Sequence, residues 1–163
     1  MISGIKHILK KHLKFYKVRH RLKLNIRVRQ HTLIEYYQAK MVSDDLPDIQ
    51  NTGLKIFSQF EEDGLLLYVF SLIGMTNRTF IEFGSDDGIN SNSANLYYHH
   101  EFHGLFMDGN PHALHRGSYF FDKYRNAKKV PPVFKEAMIT AENINELIES
   151  AGFEGEIGLL SID

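Results

Sequence analysis

The sequence predicts an α/β protein built on a mainly parallel, doubly wound sheet. Three observations carry this. Short β-rich apolar runs at about 79–83, 104–108, 133–139 and 157–162 alternate with segments of helical period. The first run, Thr79 to Phe83, contains Glu82 and enters a glycine-bracketed loop, Gly84-Ser85-Asp86-Asp87-Gly88. The second run ends in Asp108 and Gly109, twenty residues after Gly88. A strand, a glycine turn and a second strand-end acid at this distance frame a nucleotide-cofactor site on a βαβ unit.

A length of 163 residues bounds the chain to one main domain. Its 43% hydrophobic and 24% charged residues match a globular protein in water. The absence of cysteine excludes disulfides and thiolate metal sites, and suits a reducing compartment. The expected location is therefore cytoplasmic. The longest charge-free apolar run, Leu65 to Met75, is far shorter than the ~20 residues that span a bilayer.

The net charge of −1 hides an asymmetry. Residues 1–30 hold ten of the nineteen Lys/Arg and none of the twenty acids. This divides the chain into a basic helical arm (1–42), a linker (43–57) and a catalytic domain (58–163). In the arm, Ile5, Ile8, Leu9, Leu13 and Tyr16 share one helical face. From Arg21 to Arg29 apolar and basic residues alternate, a strand-like pattern without an obvious partner, and residues 31–42 resume a helix. Lysines interrupt any signal-peptide core, and low serine content argues against a transit peptide. A basic amphipathic helix suits an anionic membrane surface through residues 1–30, and a solvated or self-packing N-terminal helix is the alternative reading. Nucleic acid is not the expected partner.

Ser43-Asp44-Asp45-Leu46-Pro47-Asp48 is a polar, proline-containing break. Ser58 and Glu61 read as a capping box for a helix through Leu72, stopped by Gly74. A strand at 79–83, a helix at 92–101, a strand at 104–108 and a helix at 112–125 follow. Pro131 and Pro132 precede the third strand. Thr140 caps a helix over Asn143 to Ala151 that Gly152 ends, and the fourth strand completes the chain.

The loop chemistry narrows the ligand. Gly84 and Gly88 let the backbone turn and approach a guest closely. Glu82, Asp86 and Asp87 would repel a pyrophosphate, and Asp86 holds the middle glycine position of a dinucleotide fingerprint. An NAD-type oxidoreductase is accordingly disfavoured. The same carboxylates suit the ammonium and sulfonium of S-adenosylmethionine (SAM). Asp108 can accept from both ribose hydroxyls, and Gly109 leaves room for sugar or base. Glu82, Asp86 and Asp108 are expected to converge on this one guest. His99 and His103 lie one helical turn apart, but no acid completes an H-E-x-x-H pattern, so no metal site is expected. Tyr97, Tyr98, Tyr119, Phe120 and Phe121 read as core in preference to a cofactor face.

Several segments resemble FkbM-type methyltransferases. Ser58-Gln59-Phe60-Glu61-Glu62-Asp63-Gly64 is similar to the "SQ-x-x-EDG" segment before that family's first strand. Phe80 to Gly88 resembles its first SAM motif. Phe106-Met107-Asp108-Gly109-Asn110-Pro111 resembles its second. Thr140 to Ile148 is similar to the helix before strand four, and Leu159-Leu160-Ser161-Ile162-Asp163 to the start of its "L-L-S-I-D-x-D-G" block. The resemblance spans about residues 54–163 and leaves the arm uncovered.

It implies a class I Rossmann-like fold and methyl transfer from SAM to a hydroxyl of a sugar, glycan or small molecule. By motif position the cofactor residues are Glu82, Gly84, Ser85, Asp86, Gly88, Asp108 and Gly109. Asp163 would face the methyl group and serve the acceptor as base. The sequence stops inside this last motif. The expectation is thus an incomplete domain of about four strands: a fragment of a methyltransferase, or an inactive truncated relative that binds a membrane or partner through its basic arm.

Overall fold

The structure is a computed structural model in which residues 18–163 are described. The expected helical face from Ile5 to Tyr16 lies outside the described residues. Among the described residues five helices and four strands follow in order: α1 (Leu24–Val42), α2 (Glu62–Ile73), β1 (Thr79–Phe83), α3 (Ala94–His100), β2 (His103–Asp108), α4 (Pro111–Tyr124), β3 (Val133–Glu136), α5 (Ile144–Ser150) and β4 (Leu159–Ile162). Short 3₁₀ turns at His20–Leu22 and Ile49–Asn51 precede α1 and α2 respectively. None of the described helices is long and apolar enough to cross a membrane.

The strands form one all-parallel sheet in the order β3-β2-β1-β4. Helices cover both faces, so the fold is α/β, doubly wound and Rossmann-like. On one face Phe80 and Phe106 pack with Leu96 and Tyr97 of α3 and Phe120 and Phe121 of α4. On the other, Ile81, Phe83, Leu105 and Met107 pack with Ile144, Leu147 and Ile148 of α5. The chain steps outward from β1 to β2 to β3, then returns past β1 to lay down β4. The direction of winding reverses between β1 and β4, which opens a crevice at their carboxyl ends.

The strand-like alternation expected around Arg21 to Arg29 is helical from Leu24 onward. Its alternating residues Leu24 and Val28 are 73% and 55% exposed, whereas Gln30 and Tyr37 are buried. Half-buried Ile26 and Ile34 join buried Gln30 and Tyr37 in a stripe of helical spacing, and without a neighbouring strand the alternation had no ladder to join. The described part of the arm is therefore docked on the domain. Tyr37 meets Tyr68 of α2 edge-on at 4.9 Å. Gln30 and Asn95 of α3 exchange two amide hydrogen bonds of 3.1 and 2.8 Å.

Ser58 does not pair with Glu61. α2 begins at Glu62, and Asp63 is the residue that organises its approach. One Asp63 oxygen, Oδ2, accepts from the amides of Ile56, Phe57 and Ser58 and from Ser58 Oγ. Asp63 N donates back to Ser58 Oγ. Burial raises the Asp63 pKa against the opposing effect of these donors.

Strand and helix ends differ from expectation by local competition. β3 stops at Glu136 because its partner β2 stops at Asp108. α5 starts at Ile144, with Asn143 Oδ1 accepting from Thr140 N, the reverse of the expected Thr140 cap.

His100 adds a pH dependence. It is buried at the end of α3, with Nε2 2.7 Å from Gln30 Oε1. Burial first, then the charges of His99, His31, Arg27 and Arg78, push its pKa down to about 3. The folded state thus holds it neutral where the unfolded chain binds a proton. Stability is complete above about pH 6.5 and falls as pH drops from there toward 3. Urea unfolding at pH 7 and pH 5 should differ by about 2 kcal/mol, at ~1.4 kcal/mol per unit below the unfolded pKa. The pKa values of buried Asp63 and Glu82, raised first of all by burial, act in the opposite sense. His100→Gln, which can keep a bond to Gln30, should lose this share and leave the part due to buried His99, whose pKa burial also lowers. An equal difference in the variant would remove His100 as its source.

Candidate functional site

The crevice between β1 and β4 contains a polar hollow of about 360 Å³. Gly84, Ser85, Asp86 and Asp163 line it from the strand ends. The Asp163 amide donates to Phe83 O at 3.1 Å, which seats β4 beside the glycine loop. Gly84 has φ +71°, and a Cβ there would stand 2.6 Å from Asp163 O. This position requires glycine for both reasons.

Asp86 adopts φ +46°, uncommon for a residue with a side chain. Its amide donates to Asp108 Oδ2 at 2.9 Å, and Asn110 N donates to Asp108 Oδ1 at 2.8 Å. Asp108 thereby ties the glycine loop to the end of β2. Each oxygen keeps a further lone pair, so a ribose diol remains a compatible guest. Asp86 Oδ1 is 3.5 Å and Asp87 Oδ2 3.6 Å from the Arg116 guanidinium on α4. Arg116 thus offsets part of the loop's negative charge, though the Asp86 arm of this pair is solvent-exposed and screened.

Glu82 departs from expectation. It is fully buried beneath the start of α3, because its alternate position in β1 points it to the same sheet face as Phe80. Oε1 accepts from Asn92 N at 3.1 Å and Oε2 from Ser93 N at 2.9 Å. Burial raises its pKa against those donors, with Asp163 adding to the rise. Glu82, Asp86 and Asp108 therefore do not converge on one guest. Asp86 enters the hollow, Asp108 braces the loop from β2, and Glu82 supports it from inside.

Other expected ligand residues are engaged within the fold. Ser85 directs its amide and hydroxyl to Met107 O at 3.2 and 3.4 Å, so its side chain is turned from a guest. Gly88, at φ +65°, faces the Phe106 ring, which a Cβ would meet at 3.3 Å. It serves packing, not ligand approach. The space above Gly109 is taken by Met138, whose Sδ would lie 2.8 Å from a Cβ. Met138 is 80% exposed, so a guest can displace it. Tyr97, Phe120 and Phe121 are core and the half-buried Tyr98 packs on them, whereas Tyr119, on the outer side of α4, is exposed and not core as expected.

Sequence reasoning missed the cationic side of the hollow. Arg21 and Lys55 line it opposite no motif, and both belong to segments read as arm and linker. It also missed Gly117 of α4, where a Cβ would stand 2.3 Å from Asp87 O. That glycine lets α4 press against the acidic loop. Neither carries a local signal, since both depend on what the fold brings alongside.

The first amides of α3 bear on ligand class. Asn92 N and Ser93 N are taken by Glu82, and Ala94 N donates to Ser91 Oγ at 3.2 Å. The turn leading into α3 is thus engaged from within, at Asn92 and Ser93 by a carboxylate and at Ala94 by a hydroxyl, where a pyrophosphate would seek free amides. Compared with known proteins, the chain matches no family model, no curated protein and no solved structure.

Proposed function

We propose that this chain binds S-adenosylmethionine in the β1/β4 crevice as a methyltransferase domain acting on a hydroxyl of a sugar, glycan or small molecule. One observation carries the reading. The glycine loop at the switch point presents carboxylates, and Glu82 occupies the amides of Asn92 and Ser93 in the turn that leads into α3. Such a loop favours a cationic ligand over a phosphate one.

The donor set fits the cofactor. Asp86 and Asp163 line the hollow and can attract an ammonium. Asp108 sits at the end of the neighbouring strand, where it has capacity for a ribose. When bound, the cofactor supplies a methyl group activated by its sulfonium. The residues of this chain then bind and orient it, because in-line displacement depends mainly on proximity and alignment. Asp163, exposed at the end of β4, is the group available to take the proton of a hydroxyl acceptor.

The test is calorimetric titration of SAM and of NAD into the whole chain. SAM should bind and NAD should not. Asp108→Ala should weaken SAM by at least about ten-fold, the scale of a lost hydrogen bond to a charged group. Thermal protection by NAD alone, or SAM binding indifferent to Asp108→Ala, would sink the reading.

A further inference from the structure

We propose that Arg21, assisted by Lys55, is the carboxylate-recognising pole of the crevice, so that the site selects ligands carrying a free α-amino-acid end. This rests on the cofactor reading above and names which part of the ligand each side of the hollow takes.

The hollow is bipolar. Asp86 and Asp163 approach it from the strand ends, and Arg21 and Lys55 from the segments that precede α1 and α2. A purely anionic site would suit any cation. A site with both signs suits a zwitterion, whose ammonium and carboxylate sit on one carbon.

Arg21 is held in place by the fold. His99 Nε2 lies 2.7 Å from its backbone carbonyl, anchoring the 3₁₀ turn to α3. The adjacent Leu22 packs on the aromatic core. The guanidinium lies 5.9 Å from the centre of the Phe57 ring, and its Nη1 donates to Asn90 Oδ1 at 3.1 Å. Asn90 also lines the hollow, so this contact aims the guanidinium into it.

The charge of Arg21 is incompletely matched. Among the described residues its side-chain partners are the neutral amide of Asn90 and the ring of Phe57. Asp63 reaches it only as a field, too weak to offset the burial that lowers its pKa. Asp63 Oδ2 is committed to the amides of residues 56–58, and its buried Oδ1 makes no hydrogen bond, to Arg21 or to any other group among the described residues. A ligand carboxylate would supply the missing partner, and a planar guanidinium can take it through two parallel bonds. Lys55 donates to Gln59 O from the same stretch that Asp63 shapes, leaving two ammonium hydrogens for the same carboxylate.

The experiment compares SAM with its decarboxylated analogue, which keeps the sulfonium, ribose and adenine. Calorimetry on the whole chain should find the analogue at least about ten-fold weaker, as expected for loss of a charge-assisted bidentate contact. In Arg21→Met the two ligands should bind within about two-fold of each other, with the loss confined to SAM. Lys55→Met alters an exposed side chain and should shift SAM in the same direction by a smaller factor; it carries the test should Arg21→Met not fold. Equal weakening of both ligands, or unchanged discrimination in both variants, overturns the proposal. If SAM still depends on Asp108 in that case, the cofactor reading stands without it. If the wild-type chain binds neither ligand, the cofactor reading has failed and this proposal with it.

Discussion

Gly104→Ala should destabilise the protein by on the order of 3–4 kcal/mol, near the upper end for a single methyl group. Gly104 is the second residue of β2, paired with Phe80 in the parallel ladder. A Cβ built there stands 2.1 Å from Phe80 O and 2.7 and 2.8 Å from the Phe80 ring atoms. The carbonyl cannot retreat, because it belongs to the backbone of the central strand. The ring cannot retreat either, since it packs on Phe106 at 4.9 Å in a fully buried layer. The methyl must therefore part β1 from β2 or rotate Phe80 out of the core. Ordinary alanine gains, reduced freedom of the unfolded chain among them, are worth under about 1 kcal/mol and lose to this overlap. A denaturation midpoint within about 0.5 kcal/mol of wild type would show that the strands can separate freely here.

Glu82→Leu should cost about 3 kcal/mol of stability and weaken ligand binding beyond what the remaining folded fraction explains. Two effects compete. Removing the carboxylate relieves the burial that raises its pKa. It also strands the amides of Asn92 and Ser93, each at about 1–3 kcal/mol when left buried without a partner. Asn92 is coupled to the site through its Nδ2, which donates to Ser161 Oγ of β4 at 3.1 Å. Loss of its anchor should loosen both the glycine loop and the strand that carries Asp163. The stranded amides decide the sign, because leucine provides no acceptor. Urea unfolding together with SAM calorimetry checks this. A variant of unchanged stability would mean that water replaces the carboxylate without penalty.

Much of the framework was legible in the sequence, for a physical reason. Parallel strands buried on both faces read as apolar runs, and Thr79–Phe83 and His103–Asp108 fall close to where the runs place them. Gly74 and Gly152, at φ +86° and +84°, end α2 and the turn after α5 where expected. What the sequence concealed is pairing. The alternation around Leu24 to Val28 mimics a strand, and only the burial of Gln30 against Asn95 and His100 reveals the helix. Glu82 looks like a ligand residue because a strand-end acid beside glycine is a ligand pattern. The amides that claim it lie ten and eleven residues away and become visible only in three dimensions. Arg21 is one cation among ten in residues 1–30, and nothing local distinguishes it from the rest.

The sheet order has a consequence for how the crevice is assembled. β1 finds its neighbour β2 through a short crossover, but its pairing with β4 begins at Phe80 and Leu159, next to a Thr79–Gly158 bond that spans a separation of 79 residues. Closing the longer loop costs more chain entropy, though the penalty grows only with the logarithm of length. The flank of the central strand that faces β4 therefore stays bare while the nascent chain lengthens, open to misdirected pairing. Asp163 joins the hollow only when that flank is sealed, so the crevice takes shape no earlier than the pairing of β4 with β1.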